Sequence, residues 1–217
     1  MLRVAIDGPS GTGKSTIAKL VAARFGLEYI DTGAMYRAIA LKAVRNAVPH
    51  TDEAAVEKMV ADTEIDFVNS KIMLDGKDVS GEIRTNEISM AASHYSKIPC
   101  IRAKVGALCD QLTSSKDVVM EGRDICTVVI PDAEVKIFMT ASPEVRAKRR
   151  YDQLLEAGKE ADYDKVLEEV KARDYQDSHR EISPLKQADD AVLLDSSDMT
   201  IEENVDAIAE IIHKVVG

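Results

Sequence analysis

Gly8-Pro9-Ser10-Gly11-Thr12-Gly13-Lys14-Ser15 follows Val4-Ala5-Ile6, a short apolar run ending at Asp7, and leads into Lys14 to Phe25, whose apolar residues return at helical spacing. The order is therefore strand, glycine-rich turn, helix. The stretch matches G-x-x-x-x-G-K-[ST] at every fixed position, in the context that pattern requires. Glycines let successive backbone N–H groups point inward at phosphate oxygens, and the following helix adds the positive end of its dipole. The sequence thus predicts a nucleoside triphosphate cradle made of Gly8, Pro9, Ser10, Gly11, Thr12, Gly13, Lys14, Ser15 and Thr16. Lys14 is expected to reach the β- and γ-phosphates, and the Ser15 hydroxyl to ligate Mg²⁺.

Outward from the loop, Tyr29-Ile30, Val118-Val119-Met120, Val135 to Met139 and Ala191 to Leu194 read as buried strands, mostly separated by helical patterns. That alternation predicts a parallel sheet with helices on both faces, an α/β fold. The last helix opens with Thr200 and Glu203 in capping-box spacing, and Ile201, Val205, Ile208, Ile212 and Val215 are expected to line its inner face. Ile65 to Val68, Lys71 to Leu74 and Asp78-Val79, around the turn Asp75-Gly76, break the rhythm and read as a small antiparallel insertion. Helical segments, Glu53 to Ala61 and Thr85 to Leu112, flank it. The expected division is a core of residues 1–40, 113–150 and 164–217, an insertion over about 41–112 and a lid over about 151–163.

The chain has 217 residues, enough for one full core with a modest insertion. A net charge of −10 repels polyanions and argues against a nucleic-acid binder. No apolar stretch approaches bilayer length, and Met1-Leu2-Arg3 leads directly into the first strand pattern, so a cytosolic protein without a membrane partner is expected. Cys100, Cys109 and Cys126 form no C-x-x-C pair and are expected as reduced, packed thiols. Nothing suggests an obligate interface, so a monomer is expected.

Arginines stand singly at the ends of elements: Arg37, Arg84, Arg102, Arg123, Arg146, Arg149, Arg150, Arg173 and Arg180. In an acidic chain with a phosphate loop, this set suggests a second phosphorylated ligand facing the first. A phosphate acceptor also explains the scatter of the four histidines, because its attacking oxygen is already charged and needs little general-base help. Two segments follow strand ends, where ligands of parallel sheets collect. In Asp31-Thr32-Gly33-Ala34-Met35-Tyr36-Arg37, Thr32 can cap the next helix and Arg37 lies about one turn in. In Glu121-Gly122-Arg123-Asp124, Glu121 is a candidate to hold Mg²⁺ or its waters. Arg146, Arg149 and Arg150 share one helical face leading into the polar loop Gly158 to Asp162, the expected lid tip. With Lys14 and Arg123, Arg149 and Arg150 are the candidates to neutralise charge during transfer. A guanine switch is disfavoured, since no asparagine is followed by lysine.

With these motifs in place, the sequence resembles the bacterial-type cytidylate kinases within the nucleoside monophosphate kinases. The resemblance runs almost end to end. It rests on Ile6 to Gly11 with Gly13-Lys14-Ser15-Thr16, on Asp31 to Arg37, and on Gly76 to Ser80 with Glu82 to Thr85. It continues through Gly122 to Ile125, Thr127 to Val129, Pro131 to Ala133 and Lys136 to Phe138, then Arg173-Asp174 to Pro184-Leu185. It implies a P-loop NTPase-type five-stranded parallel sheet, a mobile lid and an enlarged monophosphate-binding insertion. It also implies ATP as donor with Mg²⁺, CMP or dCMP as acceptor, and pyrimidine nucleotide metabolism. By position, Thr32, Arg37, Arg123, Arg173, Asp177 and Arg180 would hold the acceptor's ribose and phosphate, while Ser93, Arg102 and Asp124 would face the cytosine. Cys126 stands where the family usually has glycine, and Glu121 where it often has aspartate. Kinases of UMP, AMP, shikimate or a sugar acid, and a non-catalytic ATP switch, are the rival readings.

Overall fold

A computed structural model of the chain describes residues 1–68 and 71–217. Its centre is a five-stranded sheet of β1 (Arg3–Asp7), β2 (Glu28–Asp31), β6 (Val118–Gly122), β7 (Val135–Thr140) and β8 (Val192–Asp195), in the order β2-β6-β1-β7-β8. β1 pairs in parallel with β6 and with β7, and β7 in parallel with β8. The phosphate loop leaves β1 in the middle of this order. The expected fold class is borne out.

The chain divides into two compact units, residues 1–29 with 116–217, and residues 30–115. In the first, α1 (Lys14–Phe25) and α8 (Ile201–Val216) pack on one face of the sheet. Ile17 and Val21 meet Val4, Ile6, Val135, Ile137 and Met139, with Val205, Ile208 and Ile212 from α8. The capping box at Thr200 and Glu203 forms as expected. Ile201 and Val215, expected on the inner face, are instead exposed, because they stand in the first and last turns of α8, beyond the buried row Asn204, Val205, Ile208, Ala209 and Ile212. α6 (Pro143–Glu156) and α7 (Tyr163–His179) are antiparallel neighbours joined by residues 157–162.

The second unit holds α2 (Thr32–Arg45), α3 (Glu53–Ala61), α4 (Asn86–Tyr95), α5 (Pro99–Thr113) and a small sheet. β3 (Ile65–Val68), β4 (Lys71–Leu74) and β5 (Lys77–Asp78) pair antiparallel, with Asp75-Gly76 as the turn between the last two. Residues 69 and 70 of the expected insertion lie outside the described residues. The helical stretch expected over Thr85 to Leu112 is two helices, since Pro99 cannot continue a helix from Tyr95 and instead starts a new one at its first position. Asp31, rather than Thr32, caps α2: its Oδ1 accepts from the Ala34 amide at 2.8 Å, which places Thr32 inside the helix.

Candidate active site

In the first unit, the loop between β1 and α1 is shaped by close approach. Gly8 has φ of +149° and its absent side chain would lie 1.9 Å from the Met139 carbonyl oxygen, so no other residue fits. The Ser10 carbonyl accepts from Arg146 Nη1 at 3.1 Å. That of Thr12 accepts from Arg149 Nη1 at 3.3 Å and from Ser196 Oγ at 3.1 Å. These bonds fix the Ser10 and Thr12 carbonyls, and the N–H groups of a loop of this kind are the donors that meet an anion. α1 has no side-chain cap and no acidic residue in its first turn, so its positive end is uncompensated as well.

Lys14 is buried, and its Nζ donates to the Pro9 carbonyl at 2.7 Å and to Thr12 Oγ1 at 3.3 Å. Burial, with the Arg123 charge adding to it, pulls the ammonium down to about 7. Ser15, one residue on in the first turn of α1, is exposed.

Arg123 and Asp124 follow β6 directly. Arg123 Nε donates to Asp177 Oδ2 at 2.9 Å, and Arg180 Nη2 stands 3.6 Å from Asp124 Oδ1. Arg173 and Asp177 on α7 and Arg180 at its C-cap recur at i, i+4 and i+7, one stripe of that helix. Burial alone would push the Asp177 carboxyl up, but Arg123, Arg173 and Arg180 together hold it below the usual carboxylate range. Asp124 Oδ1 thus faces Arg180, and Arg123 Nε faces Asp177.

Glu121 was expected beyond the end of a strand and instead lies inside β6, 5% exposed, accepting from the Tyr29 hydroxyl at 2.7 Å. The three arginines expected on one face of α6 divide. Arg146 is 3% exposed and bound to Ser10, Ala141 and both oxygens of Asp174; Arg149 reaches Thr12 and Ser196; Arg150 is half-buried with no hydrogen bond among the described residues. Arg146 and Arg149 therefore brace the phosphate loop from behind. Sequence reasoning missed Asp7, Tyr29 and Asp174. Only Asp7 carried a signal, a carboxylate ending an apolar strand directly before the first glycine of the loop.

Cys126, where a glycine was expected, is accommodated. Its Sγ lies 3.5 Å from the Ala5 carbonyl oxygen and 3.7 Å from that of Ile137, and burial beside the Asp7 carboxylate pushes the thiol up. Cys100, Cys109 and Cys126 are all free.

In the second unit, Arg37 Nη2 donates to Asp31 Oδ2 at 2.9 Å, so one carboxylate both caps α2 and aims the arginine. A Cβ on Gly33 would lie 2.9 Å from Arg37 Nη1 and 3.0 Å from Asp31 Oδ1, which is why glycine stands there. Arg102 lies 5.9 Å from the Tyr36 ring centroid and donates to the Ser96 carbonyl at 3.2 Å. The buried Ser93 Oγ makes no hydrogen bond among the described residues. Thr32 is buried in the first turn of α2.

No group of three or more histidine, cysteine or carboxylate side chains is arranged for a metal among the described residues. Nor is any described helix long and apolar enough to cross a membrane.

The family model for cytidylate kinase matches residues 4–214. The chain is 49% identical over 218 residues to a cytidylate kinase of Lactobacillus johnsonii, covering 99% of this chain and 95% of that one. It is 45% identical over 220 residues to a cytidylate kinase of Caldicellulosiruptor saccharolyticus, covering 100% and 97%. Among solved structures, a shikimate kinase from Bacteroides thetaiotaomicron superposes with a TM-score of 0.52 at 13% identity, covering 98% of each chain, a likeness of fold alone. Match length, identity and the site geometry agree, and the chain belongs to the cytidylate kinase family.

Proposed function

We propose that the chain transfers the γ-phosphate of ATP to CMP or dCMP, releasing ADP and CDP or dCDP. The observation that carries this reading is the half-buried arginine cluster of Arg123, Arg173 and Arg180 around the buried Asp177, close enough to Lys14 for the Arg123 charge to depress it. A cation cluster of that kind suits a second phosphate beside the phosphate loop. An oxygen of the acceptor phosphate attacks the γ-phosphorus, and the bond from that phosphorus to the β–γ bridging oxygen breaks. No proton has to be removed from the nucleophile, so the residues act by alignment and charge. Lys14 follows the transferring group, Arg123 spans towards the acceptor phosphate, and Arg173, Asp177 and Arg180 hold acceptor phosphate and ribose. Thr32 and Arg37 are proposed to bind the same acceptor. Ser93, Arg102 and Asp124 are proposed to read the base; the buried Ser93 hydroxyl lacking a hydrogen bond among the described residues is what a base-edge partner would satisfy.

The residues present fit Mg²⁺. An exposed Ser15 hydroxyl at the start of α1 suits an ion held largely by phosphates and water. Ser15 would supply a direct ligand and Glu121 would orient a water of the ion; bound there, the ion neutralises phosphate charge. Residues 151–163 are proposed as a lid that excludes water, and Arg149 and Arg150, which precede it on α6, as cations that neutralise charge during transfer. The edge-on contact of Tyr151 with Tyr163, 6.1 Å between centroids, ties the two ends of that segment. The core of 1–40, 113–150 and 164–217 and the insertion of about 41–112 keep their proposed roles as donor platform and acceptor holder. We infer a monomer working in the cytosol on small phosphates, since a charge of −10 disfavours polyanions.

The test is ADP release with a panel of acceptors: CMP, dCMP, UMP, AMP, shikimate and a sugar acid. Highest kcat/KM for CMP or dCMP is expected. Preference for another acceptor would move the assignment within small-molecule kinases, and ATP binding without acceptor-stimulated turnover would make the chain a switch.

A further inference from the structure

Asp7 ends β1 and immediately precedes the first glycine of the phosphate loop, with 0% exposure. A carboxylate so placed is costly unless hydrogen bonded. Its Oδ1 accepts the Ile125 amide at 2.8 Å and its Oδ2 the Cys126 amide at 2.7 Å. Those two amides open the π-turn of residues 125–129, which begins at Asp124: the Val128 and Val129 amides bond back to the Asp124 carbonyl at 2.9 and 3.1 Å. Asp7 therefore grips the backbone directly behind Arg123 and Asp124 while its own backbone continues into Gly8.

We infer that Asp7 is a positioning residue for the acceptor, holding the Arg123-Asp124 pair in register with the phosphate loop. The inference rests on the acceptor reading of those two residues. The chemistry requires a carboxylate at this point. Two N–H donors need two acceptors; an asparagine offers one, and its NH₂ would turn a donor onto the other amide. The charged groups facing Asp7 are Lys14, Arg123 and Asp124, with the Cys126 thiol alongside. Burial pushes the carboxyl up to about 6 against the lowering pull of the two amides, so it remains ionised at the neutral pH of an assay.

The test uses the full chain with Asp7→Asn, following ATP affinity by equilibrium titration and KM for CMP and ATP by ADP release. A positioning role predicts a KM for CMP raised by about tenfold or more, with ATP affinity changed by no more than about twofold. Cys126→Ala keeps both amides and is expected to leave KM for CMP within about twofold of wild type. A strand-end carboxylate with only a structural part would weaken ATP and CMP use together, and that result, or an unchanged KM for CMP, overturns the inference. Should Asp7→Asn fail to fold, Asp7→Glu, which moves the carboxylate by one methylene, is read by the same split. Wild-type turnover with CMP separates the two ideas. If wild type does not use CMP, both fall; if it does and the variant retains its KM for CMP, only the role of Asp7 falls.

Discussion

Arg123 donates its Nε–H to Asp177 at 2.9 Å, in a part-buried pair that joins the end of β6 to the last turns of α7. Asp177 also feels Arg173 and Arg180, and Arg180 stands 3.6 Å from Asp124, so these residues form one network of charge. Three guanidiniums gathered in this way suit a phosphate, and the phosphate of a nucleotide monophosphate is the anion that the proposed reaction supplies.

From that pair follows the first prediction. Arg123→Ala should lower kcat/KM for CMP by about 10²–10³ while leaving ATP affinity near wild type. Stability should fall by roughly 1–3 kcal/mol, less than for an isolated buried ion pair, because Arg173 and Arg180 still compensate Asp177. Arg123→Lys should recover stability better than catalysis, since an ammonium keeps the charge without the planar fork. Steady-state kinetics with denaturant unfolding checks each part; collapse of ATP affinity with intact CMP use would put Arg123 on the donor.

Lys14 supplies a prediction about protons. Its ammonium is held down to about 7 by burial and by the Arg123 charge, so at pH 8 most molecules carry it neutral. A triphosphate favours the charged form, and ATP binding at pH 8 should take up close to one proton, falling towards none at pH 6. Calorimetry in buffers of different ionisation enthalpy reads this, and Lys14→Met should abolish the uptake at pH 8 along with phosphoryl transfer. The sign for stability is set by the depressed value. Between about 7 and the ordinary lysine range the unfolded chain binds more protons, so this group's cost is full below 7 and relieved as pH rises. Lys14→Met should therefore stabilise the nucleotide-free protein most at low pH.

Gly8 is set by space as well as by backbone conformation. A Cβ there would stand 1.9 Å from the Met139 carbonyl oxygen, a distance at which backbone must move. Gly8→Ala should displace the loop from β7, with ATP affinity lost by about tenfold or more and a stability loss of a few kcal/mol. Gly76→Ala, at a hairpin turn where the added atom meets nothing within 4 Å, is the control: it should cost only its backbone strain, about 1 kcal/mol, with catalysis intact.

The parts of this fold legible in sequence were those governed by local rules. α1 and α3 begin and end where the sequence pattern puts them, and the Asp75-Gly76 turn falls where the pattern required. The site was legible where a residue acts through its immediate neighbours, as along the phosphate loop. It was not where the partner lies far along the chain. Arg146 looks like a lid cation until Ser10 and Asp174, brought from opposite directions in sequence, surround it. Glu121 reads as a residue beyond a strand end, and the hydroxyl of Tyr29, bound to it within β6, is a partner 92 residues away that no local pattern shows. Thr32 reads as the cap of α2, and the backbone gives that place to Asp31 one residue earlier.

Base choice is the last prediction. Cytosine presents an exocyclic amine where uracil presents a carbonyl, so an ionised Asp124 should attract the first and repel the second, with Arg102 and Ser93 meeting the acceptor atoms of the ring edge. Asp124 is 4% exposed, and a buried charged group left without its partner by the wrong base costs on the order of several kcal/mol. Asp124→Asn should lower kcat/KM for CMP and narrow the CMP to UMP ratio, because an amide can offer a donor or an acceptor. The competing account is supplied by geometry: Arg180 stands 3.6 Å from Asp124, so the carboxylate could serve only to aim that arginine. Loss of aim would weaken both substrates equally, since both carry the same phosphate and ribose. Measuring kcat/KM for CMP and UMP in wild type and Asp124→Asn decides between them. A ratio that narrows identifies Asp124 as a base reader, and a ratio that holds while both values fall assigns it to Arg180.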